Sequence, residues 1–137
     1  MANEDVLFMR RAFRLALLGM GKVAPNPLVG CVIVKNGKII GEGFHQAYGS
    51  AHAEVNAIKN ASTEVAGSTV YVTLEPCAHY GKTPPCSDLL ISKKVAKVVI
   101  ASQDPFAAVN GAGIQRLKEA GIQVEINCMQ EEGQHLN

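Results

Sequence analysis

At the middle of the chain stands Ser68-Thr69-Val70-Tyr71-Val72-Thr73-Leu74-Glu75-Pro76-Cys77. Its first seven residues are rich in β-branched side chains, which predicts a strand that ends at Leu74. A second apolar strand, Val95–Ile100, follows after a helical segment, and such alternation favours parallel pairing with right-handed crossovers. Ligands of sheets built this way usually bind beyond the carboxyl ends of the strands. We therefore expect Cys77 to lie at a binding edge.

The segments before this strand predict one helix and one hairpin. A helix from about Asp5 to Met20 is indicated by apolar residues at three- and four-residue spacing. These residues are Phe8, Met9, Ala12, Phe13, Ala16, Leu17 and Met20, with Arg10, Arg11 and Arg14 on the opposite, solvated face. The dipeptide Asn36-Gly37 favours a two-residue turn, so Val29–Val34 and Lys38–Phe44 should pair antiparallel.

Three further helices are predicted around and after the central strand. Ser50 is a possible N-cap that places His52 and Glu54 in the first turns of a helix. Pro84-Pro85 favours a helix that opens at Cys86. The last elements are a helix over Ile114–Ala120, ended by Gly121, and a strand over Ile122–Ile126. The predicted fold class is α/β, a three-layer α/β/α sandwich with a five-stranded mixed sheet.

Length and composition predict a single domain over residues 1–137 with a small-molecule partner. The formal net charge of +1 gives no electrostatic reason to expect nucleic-acid or anionic-membrane binding. The acidic amino terminus lacks the basic segment of a secretory signal, so we expect a cytoplasmic protein. Four cysteines in such a protein more often indicate metal binding or catalysis than disulfides. Cys31 and Cys128 fall in apolar, strand-like runs and are predicted to be buried thiols.

The other two cysteines combine with a histidine into a candidate metal site. His52, Cys77 and Cys86 offer one imidazole and two thiols, the ligand set of a catalytic zinc that keeps its fourth position open. We predict one zinc per chain. Glu54, two residues after the first ligand, is the candidate proton carrier, because a zinc-bound water has its pKa lowered toward about 7. The alternative is two reduced core thiols and a surface His-Glu pair.

These motifs resemble those of zinc-dependent base deaminases, in which His-x-Glu is followed by Pro-Cys and a second cysteine. Most such enzymes have two residues between the cysteines, whereas eight separate Cys77 from Cys86. The run Pro76-Cys77-Ala78-His79-Tyr80-Gly81-Lys82-Thr83-Pro84-Pro85-Cys86 resembles the deaminase domain of bacterial riboflavin biosynthesis, a member of the cytidine deaminase-like superfamily. Further similarity lies in residues 24–30, 43–45 and 103–113.

The resemblance implies hydrolytic deamination of a diaminohydroxyphosphoribosylaminopyrimidine to an aminouracil ribosylamino phosphate and ammonia. It implies that His79 and Lys82 contact the substrate phosphate, with an ordinary polar loop as the alternative. It also implies that Asn26, His45 and Asp104 contact the substrate. We expect a homo-oligomer, because related deaminases often associate through the helices that flank the sheet.

Two departures from the family pattern keep other functions open. Phe106 and Ala107 stand where the family usually has Asn and Pro, which leaves the exact pyrimidine open. The common bacterial enzyme also continues into an NADPH-dependent reductase domain, and no dinucleotide-binding motif is found in this chain. The alternatives are a cytidine or guanine deaminase, a transfer-RNA adenosine deaminase, and an inactive zinc-stabilised interaction module.

Overall fold

Residues 3–78, 85–103 and 111–137 are described by the computed structural model. Their elements in chain order are α1 (Asn3–Leu17), β1 (Gly30–Lys35), β2 (Lys38–Phe44), α2 (Ala53–Lys59), β3 (Thr69–Leu74), α3 (Cys86–Ser92), β4 (Lys97–Ser102), α4 (Ala112–Glu119), β5 (Gln123–Glu125) and α5 (Gln130–Leu136). Among these helices, none has the length and apolar character that crossing a bilayer requires.

The five strands form one mixed sheet in the order β2-β1-β3-β4-β5. β1 runs antiparallel to both β2 and β3, whereas β3, β4 and β5 are mutually parallel. The β1–β2 hairpin turns at Asn36 and Gly37, whose φ angles of 53° and 76° are those of the predicted two-residue turn. The mixed sheet expected from the sequence is confirmed.

Helices cover both faces of this sheet and bury a separate apolar core on each. The core under α2, α3 and α4 contains Ala57, Leu90 and Leu117 packed on alternate residues of the strands. The core under α1 contains Phe8, Met9 and Ala12 against the other face of the same strands. Gly133 of α5 lies on this second face, against Ala101 and Ser102. The three-layer arrangement is therefore confirmed.

The first helix is shorter than predicted, and two residues that were placed on its apolar face are exposed. α1 ends at Leu17, and Leu17 and Met20 are 46% and 64% exposed. After Leu17 the backbone continues through i→i+3 turns, which rotate the following residues away from the sheet. Gly19 lies against the carbonyl of His45, where no Cβ would fit. Leu15 is buried instead.

Other boundaries also differ from the prediction. Ser50 does not cap α2: its hydroxyl bonds the backbone of Ala47, and the N-cap position belongs to His52. α5 was not predicted. Cys128 is buried as expected, but it lies in the turn between β5 and α5 and not in a strand. The remaining elements begin or end within three residues of the predicted positions.

Candidate active site

Three chain segments meet at the carboxyl end of β3. His52 is the N-cap residue of α2, Cys77 lies three residues beyond the end of β3, and Cys86 is the first residue of α3. Their ligand atoms all lie within 4.8 Å of one another. The backbone holds this arrangement, because the Ser87 N–H donates to the Cys77 carbonyl at 3.0 Å. The predicted cluster is therefore brought together, although its residues are far apart in sequence.

The two distances from His52 to the cysteine sulfurs fit a tetrahedral zinc. The Nδ1 atom of His52 lies 3.8 Å from the Cys77 sulfur and 3.4 Å from the Cys86 sulfur. Zinc bonds of about 2.05 Å to nitrogen and about 2.3 Å to sulfur at the tetrahedral angle give a ligand separation of about 3.6 Å. The two observed separations bracket that value. One imidazole and two thiols therefore suit a zinc that retains one open position.

The electrostatics of the two thiols favour charge on Cys77. Its pKa is lowered to about 4, first by a hydrogen bond from the Cys86 thiol and then by His52 and the backbone N–H of Cys86, against the opposing effect of burial. That N–H donates to the Cys77 sulfur at 3.1 Å. The pKa of Cys86 is raised, first because its thiol donates a hydrogen bond to Cys77, then because it is buried, and further by the charges of Glu54 and Cys77. The hydrogen bond with Cys77 also raises the pKa of His52. A divalent cation is the counter-charge that lets both sulfurs ionise.

Glu54 lies in the first turn of α2, one residue after the helix begins. It is 4% exposed, and burial is the largest cause that raises its pKa from 4.5 to about 7. Its own backbone hydrogen bond and the nearby His52 partly oppose this rise. A carboxyl with a pKa near neutrality can both accept and donate a proton at physiological pH.

A cavity of about 200 Å³ opens beside the cluster. Its lining includes His52, Glu54 and Cys77 together with Asn26 and His45. His45 is 3% exposed, and its Nε2 lies 3.1 Å from the side-chain nitrogen of Asn26. Of the five residues predicted to contact a substrate, these two therefore share the cavity with the cluster. His79, Lys82 and Asp104 lie outside the described residues, as do Phe106 and Ala107.

One polar residue at this site was not singled out from the sequence. Glu75 also lines the cavity and is 5% exposed. Its carboxylate accepts hydrogen bonds from the backbone N–H groups of Gly111 and Gly113 at 2.9 Å, and of Ile114 at 3.4 Å. Glu75 thus joins the end of β3 to the start of α4. In the sequence, only its position directly before Pro76-Cys77 marks Glu75 as a residue that could belong to the site.

Comparison with known proteins agrees with this geometry. Residues 2–102 match the model of the cytidine and deoxycytidylate deaminase zinc-binding region. The chain is 52% identical to the Escherichia coli riboflavin biosynthesis protein RibD over 98% of its own length and 36% of that protein. It is 49% identical to a Buchnera aphidicola diaminohydroxyphosphoribosylamino-pyrimidine deaminase, covering 98% of this chain and 91% of the relative.

A solved structure gives the same result for the fold. Acinetobacter baumannii RibD superposes with a TM-score of 0.95 at 51% identity, over 98% of this chain and 38% of that chain. The chain thus spans a little over a third of the length of the RibD relatives. With the zinc-binding region matched and the His-Cys-Cys cluster formed, the chain belongs to the cytidine and deoxycytidylate deaminase family.

Proposed function

We propose that this chain removes the exocyclic amine of a diaminohydroxyphosphoribosylaminopyrimidine by hydrolysis, releasing ammonia and an aminouracil ribosylamino phosphate. The observation that carries the proposal is the buried carboxyl of Glu54, which lines the same cavity as His52 and Cys77, two members of the cluster that Cys86 completes. A structural zinc site has no need of a nearby proton carrier. The choice of pyrimidine is supported by the names of the relatives at about 50% identity.

His52, Cys77 and Cys86 would hold the zinc, which when bound supplies an attacking water of lowered pKa. Glu54 would accept a proton from that water, because its buried carboxyl lines the same cavity as His52 and Cys77. The same carboxyl would deliver this proton to the ring nitrogen, then take up the second proton of the consumed water and deliver it to the departing amine. Burial keeps bulk water from competing for these protons. The balance is one water consumed and one ammonia released.

The substrate contacts follow from the cavity lining and from the family resemblance. Asn26 lies in the cavity and is the proposed contact to the base, and His45 lies directly behind it. His79 and Lys82 are proposed to contact the phosphate, since two potential cations suit a dianion. Asp104 is proposed to accept a hydrogen bond from the base or ribose. We also propose a cytoplasmic homo-oligomer, to be tested by light scattering of the zinc-loaded protein.

The test is ammonia release from the phosphorylated diaminopyrimidine by zinc-loaded protein. Wild type runs beside Glu54→Gln, with Glu131→Gln on the exposed face of α5 as the matched control. Zinc content is measured on all three proteins. We expect wild type and the control to release ammonia, and the Glu54 variant to hold equal zinc while losing at least about a hundredfold in rate, the low end of general acid–base contributions.

The same assay includes cytidine and deoxycytidylate. Ammonia from either of these nucleotides or nucleosides, with none from the diaminopyrimidine, would overturn the substrate and retain the deaminase. Full activity of Glu54→Gln at equal zinc would overturn the role of Glu54.

A further inference from the structure

His45 is buried between Asn26 and the residue that precedes the metal ligand His52. Its Nδ1 lies 3.1 Å from the Ala51 carbonyl oxygen, and its Nε2 lies 3.1 Å from the side-chain nitrogen of Asn26. The ring also stands edge-on to the His52 ring, with centroids 5.5 Å apart. Both ring nitrogens of His45 are therefore engaged by protein atoms.

The chemistry of these two contacts fixes the tautomer. A carbonyl oxygen only accepts, so Nδ1 must carry the proton that bonds Ala51. In a neutral imidazole the other nitrogen is then an acceptor, and it can bond Asn26 only through the Asn26 amide N–H. The amide oxygen Oδ1 of Asn26 is thereby turned away from His45. Within residues 3–78, 85–103 and 111–137, no hydrogen bond to this oxygen is found.

We infer that His45 is a positioning residue that holds the Asn26 amide so that Oδ1 faces the cavity as a fixed hydrogen-bond acceptor. The inference rests on the proposed function and sharpens its specificity. A pyrimidine that presents an N–H to this point gains a hydrogen bond, whereas one that presents a ring nitrogen lone pair leaves two acceptors facing each other. His45 selects the substrate through Asn26, without touching it.

Asn56 offers a matched control for this assignment. Its side-chain nitrogen also donates to the Ala51 carbonyl, at 3.3 Å, and to the Phe44 carbonyl, at 2.9 Å. Asn56 therefore supports the same backbone as His45 but makes no hydrogen bond to Asn26. A variant at Asn56 removes hydrogen bonds to the backbone that precedes α2 but leaves the hydrogen bond between His45 and Asn26 in place.

The first test reads the tautomer directly and needs no turnover. Nitrogen-15 NMR of the zinc-loaded protein distinguishes the protonated from the unprotonated ring nitrogen, with the His45 signals assigned by their loss in His45→Phe. We expect Nδ1 to carry the proton and Nε2 to be bare. A proton on Nε2 overturns the inference, because Asn26 would then turn its oxygen toward His45. This result stands whether or not the proposed substrate is correct.

The second test is a double-mutant cycle on kcat/KM for the diaminopyrimidine. Asn26→Ala and His45→Phe are each expected to lower kcat/KM about tenfold at unchanged zinc content, as loss of one buried hydrogen bond does. If His45 acts through Asn26, the double variant falls little below either single variant. The fold loss in kcat/KM caused by Asn56→Ala should instead multiply with the fold loss caused by Asn26→Ala when the two changes are combined. If the fold losses in kcat/KM of His45→Phe and Asn26→Ala multiply in full in the double variant, His45 contacts the substrate directly. That result would overturn the inference.

Discussion

Replacing Glu54 with glutamine should stabilise the metal-stripped protein at alkaline pH. The pKa of this carboxyl is about 7 in the folded chain against an ordinary 4.5. Between those values the folded state binds more protons than the unfolded state, so this group makes stability fall as pH rises. At about 1.4 kcal/mol per pH unit, ionisation of Glu54 lowers the free energy of unfolding by about 3 kcal/mol in total. This decrease develops between pH 4.5 and pH 7 and is complete above pH 7.

Glutamine is nearly isosteric with the protonated carboxyl and cannot ionise. The free energy of unfolding of Glu54→Gln minus that of wild type should therefore rise by about 2.5 kcal/mol between pH 5 and pH 8. The assay is urea unfolding at both pH values with a chelator and a reductant present, analysed by linear extrapolation. Glu131→Gln, at an exposed position, should show a change below about 0.5 kcal/mol. A rise below about 1 kcal/mol for the Glu54 variant would refute the burial argument.

Three shorter predictions test the metal cluster, the packing beside it and the core under α1. Cys86→Ser should lower bound zinc well below one per chain in elemental analysis, because a thiolate ligand is lost. Gly113→Ala should destabilise the fold by about 1–3 kcal/mol in thermal or urea unfolding, since the new Cβ would overlap the Pro76 carbonyl oxygen. Tyr71→Phe should cost about 1.5–3 kcal/mol in the same assay, because the buried Tyr71 hydroxyl donates to the Asp5 carboxylate at 2.7 Å.

The elements that sequence predicted best are those specified by local chemistry. β2 has the predicted bounds, Lys38–Phe44, because Asn36-Gly37 determines the turn and therefore the register. α3 opens at Cys86, as expected from the prolines before it. α5 could not be predicted, because Gln130–Leu136 is mostly polar and contains Gly133, whose close packing on Ala101 is visible only in three dimensions.

The same division applies to the site. The metal cluster was predictable because His, Cys and Cys at the ends of elements have few other uses in combination. The sequence did not predict the hydrogen bonds from the start of α4 to Glu75, nor the hydrogen bond between Asn26 and His45. Each depends on how side chains from distant segments are oriented toward one another in the folded chain. The two contacts span 38 and 19 residues, respectively. Their chemistry is set by packing and not by any local motif.

The spacing between the cysteines can vary without loss of the metal site. The Cys86 N–H bonds the Cys77 sulfur, and the Ser87 N–H bonds the Cys77 carbonyl, so the start of α3 is fixed on Cys77 whatever lies between them. Lengthening a connection from two to eight residues costs only about 1 kcal/mol of loop-closure entropy. Metal geometry therefore places little constraint on this segment. Its eight residues are free to serve the substrate, which is where we expect His79 and Lys82 to act.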